Sequence, residues 1–156
     1  MKTVYFIDTS ILLNLLEVPG KDQDREGIIR QMKQWTEEGE RFILPFATII
    51  ETGNHIAHIA DGRIRRNRAE RFEGMIKSVL NDKFPWAYNK NEISDEELLR
   101  IIERFPDYAE QQKMGLGDLS ILEEYKRYKK QNKRHIEVKL WSLDKHLNAF
   151  SDVEEI

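Results

Sequence analysis

Four carboxylates far apart in the chain, Asp8, Glu51, Asp118 and Asp144, stand where their type and context suit chemistry. Asp8 follows the short β-branched and aromatic run Thr3 to Ile7, and Asp144 follows Ile136 to Leu143, which is nearly continuously apolar at its end. Glu51 lies about one turn into the segment after Arg41 to Leu44 and Pro45, and Asp118 opens the segment through Ile121, Leu122, Tyr125 and Tyr128. If the runs are parallel strands and the segments helices, strand carboxyl ends and helix amino ends share one sheet edge. Ligands of open α/β sheets bind at that edge. Carboxylates gathered there repel, and one takes up a proton unless a cation neutralises them. All-oxygen ligands without a thiolate suit Mg²⁺ or Mn²⁺. Such ions activate water and stabilise the attacking and leaving oxygens of an in-line displacement at phosphorus. The expected chemistry is phosphodiester hydrolysis.

Each acid also has a purely structural explanation. Asp8 and Asp118 suit helix N-caps, Thr48-x-x-Glu51 reads as a capping box, and Asp144 suits the start of a terminal helix or turn. Taken singly, the structural explanation is the stronger for each; the shared edge favours function. Glu51, His55 and His58 occupy one helix face, but HExxH is absent, so an ordinary polar face is expected. His135 and His146 read as surface residues, and Gly115-Leu116-Gly117 as the turn into the Asp118 helix. The chain has neither a G-x-x-x-x-G-K-[ST] loop nor G-x-G-x-x-G. With no cysteine, a thiol nucleophile, a disulfide framework and a thiolate metal site are all excluded.

The elements that must position these acids are legible from periodicity. Strands are expected at Thr3 to Ile7, Arg41 to Leu44 and Ile136 to Leu143. Helices are expected after Asp8 to Leu16, over about 24 to 38 (Ile28, Ile29, Met32, Trp35), from Ile49 to Ala60, and from Ile64 to Leu80. Ser94-x-x-Glu97 opens a further helix through Phe105, with Pro106 beyond its end. Strands alternating with helices and apolar along their length predict an α/β three-layer sandwich with a short parallel central sheet. The middle, about 54 to 110, reads as wholly helical, a projecting subregion of a single domain spanning 1 to 156.

The same residues carry a resemblance. FIDTSILLNLL at Phe6 to Leu16, an acid in the helix after the second strand, GLGDLSIL at Gly115 to Leu122 and WSLD at Trp141 to Asp144 look like the four blocks of PIN-domain nucleases, a family that includes VapC-type toxins. Order and context match over nearly the whole chain, the first block being the most specific. The resemblance implies a single-strand-directed, metal-dependent endoribonuclease with Asp8, Glu51, Asp118 and Asp144 as ligands of Mg²⁺ or Mn²⁺. It implies that Ser10 and Ser142 orient ligands or water, and that the chain is the toxin of a toxin–antitoxin pair with an antitoxin partner.

The net charge of −3 does not announce a binder of RNA, but its distribution leaves room for one. Arg63, Arg65, Arg66, Arg68 and Arg71 fall within nine positions, and Lys126, Arg127, Lys129, Lys130, Lys133 and Arg134 crowd a second segment. Acid gathers at Glu92 to Glu97 and from Asp152 to Glu155. Either basic segment is a solvated helix face or a guide for an RNA backbone, the five arginines, Lys126 and Lys130 being the expected contacts. The helical middle, with Phe84, Trp86 and Tyr88, is expected to mediate homodimerisation. No apolar run is long enough to span a bilayer, and Lys2 to Leu16 is too interrupted for a signal peptide, so a cytoplasmic protein is expected. The alternatives are a non-catalytic RNA- or protein-binding adaptor of the same fold and a haloacid-dehalogenase-like phosphatase. The latter wants a second aspartate where Ser10 stands.

Overall fold

A computed structural model describes residues 1–84, 86–89 and 93–151. The acidic tail from Asp152, with Pro85 and Lys90 to Glu92, lies outside the described residues, as does the side chain of His146. In chain order the elements are β1 (Thr3–Ile7), α1 (Thr9–Leu15), α2 (Arg25–Glu37), β2 (Arg41–Leu44), α3 (Phe46–Ala57) and α4 (Gly62–Leu80). They continue as β3 (Trp86–Tyr88), α5 (Asp95–Gln112), α6 (Leu116–Gln131), β4 (Glu137–Trp141) and α7 (Lys145–Ser151).

All strand pairs are parallel, in the order β3-β2-β1-β4. The chain therefore builds outward from β1 through β2 to β3, then returns to lay β4 on the other side of β1. That reversal opens a crevice at the carboxyl end of β1. The registers Ile7↔Trp141 and Phe6↔Ile43 keep the ends of β1, β2 and β4 nearly level.

Strand alternation divides the core in two. Val4, Phe6, Ile43 and Val138 pack with Ile101 of α5, Leu119, Leu122 and Tyr125 of α6 and Leu147 of α7. Tyr5, Ile7, Phe42, Leu44 and Trp86 pack on the other face with Ile11, Leu12 and Leu15 of α1, Ile28 of α2 and Val79 of α4. This is the α/β sandwich expected, with a short parallel sheet flanked by helices on both faces.

Two local expectations need correction. The middle is not wholly helical, because Trp86–Tyr88 forms an edge strand on β2 in the register Phe42↔Trp86 to Leu44↔Tyr88. Three residues carry too little alternation to be read from sequence. Trp86 is accordingly core at 2% exposed, with Phe84 edge-on against it at 4.8 Å, while Phe84 and Tyr88 are themselves half-buried. The second correction concerns α5, which continues through Pro106 to Gln112. Proline removes one helical N–H and leaves the carbonyl four residues earlier without its partner. That carbonyl belongs to Ile102, a residue 46% exposed, where water can satisfy it. The helix closes instead at Lys113, left-handed at φ 51, where the N–H groups of Lys113 and Met114 both donate to the Tyr108 carbonyl.

Candidate metal centre

Asp8 leaves β1 with its N–H donating to the Trp141 carbonyl (3.1 Å), so it is locked beside the end of β4. It is 3% exposed. Asp8 is the N-cap of α1, as its structural explanation required, but capping uses only one oxygen. Asp8 Oδ2 accepts from the hydroxyls of Ser10 (2.9 Å) and Ser142 (2.6 Å) and, at 3.4 Å, from the Ser10 N–H. Each hydroxyl in turn accepts a backbone N–H from the far side: Leu143 N–H to Ser10 Oγ at 3.0 Å, and Asp144 N–H to Ser142 Oγ at 2.9 Å. The two serines thus tie the end of β1 to the turn bearing Asp144. Asp8 Oδ1 is left buried with no hydrogen-bond partner among the described residues. An orphaned buried carboxylate oxygen is expensive unless something cationic faces it.

Asp118 occupies the third position of α6, whose N-cap is Gly115; it is therefore not the cap that its context suggested. Burial pushes its carboxyl up to about 6, and the charges of Asp8, Asp144 and Glu51 add to the shift. Asp8, Asp144 and Glu51 thus lie within electrostatic reach of Asp118. Glu51 comes from α3, where Pro45, not Thr48, takes the N-cap position, so the apparent capping box is not one. The Thr48 hydroxyl instead donates to the Ile7 carbonyl at 2.8 Å, pinning α3 to the last residue of β1. From there Glu51 lies against Gly117: a Cβ at Gly117 would sit 2.5 Å from Cγ and Cδ of Glu51. Among the described residues no three of these acids close to bonding distance of one point. An all-oxygen donor set with a buried orphan oxygen fits a hard divalent cation.

Thr48 and Gly117 were the residues that sequence reading missed. Thr48 was visible only as a capping signal, and Gly117 only as a turn former. The Glu51, His55 and His58 face does not assemble as a ligand set. Burial lowers His55, helped by Lys21, although Glu51 and Asp8 pull it the other way. His58 terminates α3, its Nδ1 2.6 Å from the Asn54 carbonyl.

The arginines of α4 divide by what they touch. Arg68 Nε donates to the Glu17 carbonyl (2.9 Å), Arg71 pairs with the Glu17 carboxylate (3.3 Å), and Arg65 donates to the Ile59 carbonyl (2.8 Å). Glu17 is left-handed at φ 54, and the contacts of Arg68 and Arg71 hold α4 on that turn. Arg66 makes a surface pair with Glu70, and Arg63 is exposed at the start of the helix. Arg68→Ala should therefore lower stability by about 1 kcal/mol in thermal melts, the usual worth of such a hydrogen bond. Arg63→Glu should leave melting unchanged and, if α4 guides RNA, reduce the salt slope of binding by about 1. An unchanged slope would leave the helix a solvated face. Lys126 and Lys130 lie on α6, beyond Asp118.

No family model and no curated relative matches the sequence. Among solved structures the chain is similar to one in FitAcB from Neisseria gonorrhoeae, with a TM-score of 0.58 and 18% identity over 96% of this chain and 94% of that one. At that identity the likeness speaks for the fold.

Proposed function

We propose that this chain is a Mg²⁺- or Mn²⁺-dependent endoribonuclease, with Asp8, Glu51, Asp118 and Asp144 as metal ligands and Ser10 and Ser142 as positioning residues. The observation that carries the reading is the buried, unpartnered Oδ1 of Asp8 at the topological switch point, together with an Asp118 that feels the charges of Asp8, Asp144 and Glu51. A bound divalent ion would lower the pKa of water for attack on phosphorus and offset charge on the leaving oxygen. The chain's own contribution is placement. Ser10 and Ser142 hold Asp8 Oδ2 and turn Oδ1 into the site, Thr48 fixes the helix that carries Glu51, and α6 brings Asp118 up by its first turn. The sequence resemblance, together with the shared fold, supports the role of a toxin, with an antitoxin as protein partner. Leu98, Leu99 and Ile102 on α5 are 46–57% exposed and supply the apolar surface for a homodimer. Among the described residues no helix is long and apolar enough to cross a membrane.

Proton and metal compete for the same oxygens, which gives a signed pH dependence. Asp118 in the folded chain titrates at about 6, above its ordinary 3.8, so metal-free stability declines as pH rises between those values. Metal binding needs the proton gone. Apparent Mn²⁺ affinity should be flat above about pH 7 and fall about tenfold per pH unit below 6. Calorimetric titration at pH 7.5 and 5.5 measures this, and equal affinities would remove Asp118 from the ligand set.

A further inference from the structure

Beside the acidic centre lies a cleft of about 580 Å³ that the hydrolytic chemistry does not use. Glu51 and Gly117 line it on the side of the centre, so the two are continuous. Its walls are apolar and unusually open to solvent: Phe46 is 55% exposed, Ile50 47% and Leu116 41%. Away from Glu51 its polar groups include Ser120, Glu124 and Arg127 of α6 and Asn89 after β3. The Asn89 amide donates to Glu124 Oε1, and Arg127 donates to Glu97 of α5.

We propose that this cleft is the subsite for a nucleobase next to the scissile phosphate, and that Glu124 selects bases carrying an amino group over uracil. The inference rests on the nuclease reading and extends it to specificity. A base has a flat π-face on either side and hydrogen-bonding groups only at its edge. Phe46 offers an aromatic platform for the face, and stacking of this kind is indifferent to base identity. Discrimination must come from the edge. A carboxyl oxygen accepts N–H, and the edges of guanine, adenine and cytosine all present an amino group. Uracil has no amino group; its one edge donor, N3–H, is flanked by two carbonyl oxygens that face the same carboxylate and weaken the fit. The position is continuous with the metal ligand Glu51, as a base flanking the reacting phosphate must be. Burial pushes the Glu124 carboxyl up to about 7; the Asn89 hydrogen bond and Arg127 oppose that rise, and Glu97 adds to it. The carboxyl is thus held in a poorly solvated place, where a hydrogen bond to a base edge discriminates well, and it is mainly the ionised acceptor above about pH 7, so the discrimination is read at pH 8.

The test is cleavage of a randomised single-stranded RNA pool with Mn²⁺ by the full chain and by Glu124→Gln and Phe46→Ala. The parent should disfavour uracil at one fixed position by about ten- to hundredfold. Glu124→Gln, whose amide can both donate and accept, should flatten that preference at unchanged melting temperature and Mn²⁺ affinity. Phe46→Ala should weaken cleavage at every sequence by about tenfold without changing the profile. If the parent cleaves but the Glu124→Gln profile is the same, the subsite is wrong and the nuclease reading stands. If Glu124→Gln or Phe46→Ala instead changes the oligomeric state, the cleft is a protein interface and the inference falls. A parent that leaves the pool intact overturns both readings.

Discussion

Asp8→Asn should lower RNA hydrolysis by at least about a thousandfold, while the variant melts at the same or a higher temperature than the parent in EDTA. The loss follows from removing the one site carboxylate that is both buried and half unpartnered. A thousandfold corresponds to about 4 kcal/mol, within what an active-site cation contributes to a developing phosphoryl charge. Stability is spared because asparagine caps helices as well as aspartate does. Its amide oxygen can still accept from Ser10 and Ser142, and removal of one charge relieves Asp118, Asp144 and Glu51. The two readouts must move in opposite directions or the second not at all. A parent-like rate would reduce Asp8 to a helix cap, and collapse of the fold would make it a structural hub.

Gly117→Ala should separate site from scaffold even more sharply. The new Cβ would overlap the Glu51 side chain, the flexible end of which can swing away at little cost. The backbone of α6 has no reason to move. Alanine in place of a helical glycine favours the helix by about 0.5–1 kcal/mol. The expected variant is slightly more stable than the parent, yet binds Mn²⁺ about ten- to hundredfold more weakly, the range seen when a ligand's support is disturbed. Equal metal affinity in a well-folded variant would place Glu51 outside the centre.

These predictions depend on how differently the parts of the molecule show in the sequence. β1 and β2 were readable because apolar β-branched and aromatic residues fill them and Asp8 and Pro45 end them sharply. The placement of Asp8, Asp118 and Asp144 was readable because each stands at or within a turn of a strand or helix end, which parallel topology collects on one edge, whereas Glu51 stands midway along α3. β3 was not, since three residues have no period and only pairing with β2 defines them. Pro106 looked like a stop because its local cost is visible in sequence. The packing of Ile101, Phe105 and Tyr108 into the α5–α6 face, which carries the helix past it, is not. Thr48 shows the limit most plainly. Its position three residues before Glu51 is a capping pattern by any local rule, and only the tertiary approach of Ile7 makes the hydroxyl a strut of the site. The arginines of α4 divide for the same reason: Glu17 lies far from them in the chain, so their anchoring role has no local signature.

The central claim is that these acids, through a divalent ion, hydrolyse RNA. Its most direct measurement is the cleavage rate of end-labelled single-stranded RNA as Mn²⁺ is titrated into the metal-stripped chain at pH 7.5, with the product ends identified. Hydrolysis by a metal-activated water predicts a rate that is negligible in EDTA, saturates with Mn²⁺ and returns with Mg²⁺. It predicts monophosphate and hydroxyl ends, since water rather than the neighbouring ribose hydroxyl attacks phosphorus. Cleavage that persists in EDTA, cyclic phosphate products, or intact RNA at saturating Mn²⁺ would contradict it, the last leaving a non-catalytic binding protein on a PIN-like fold.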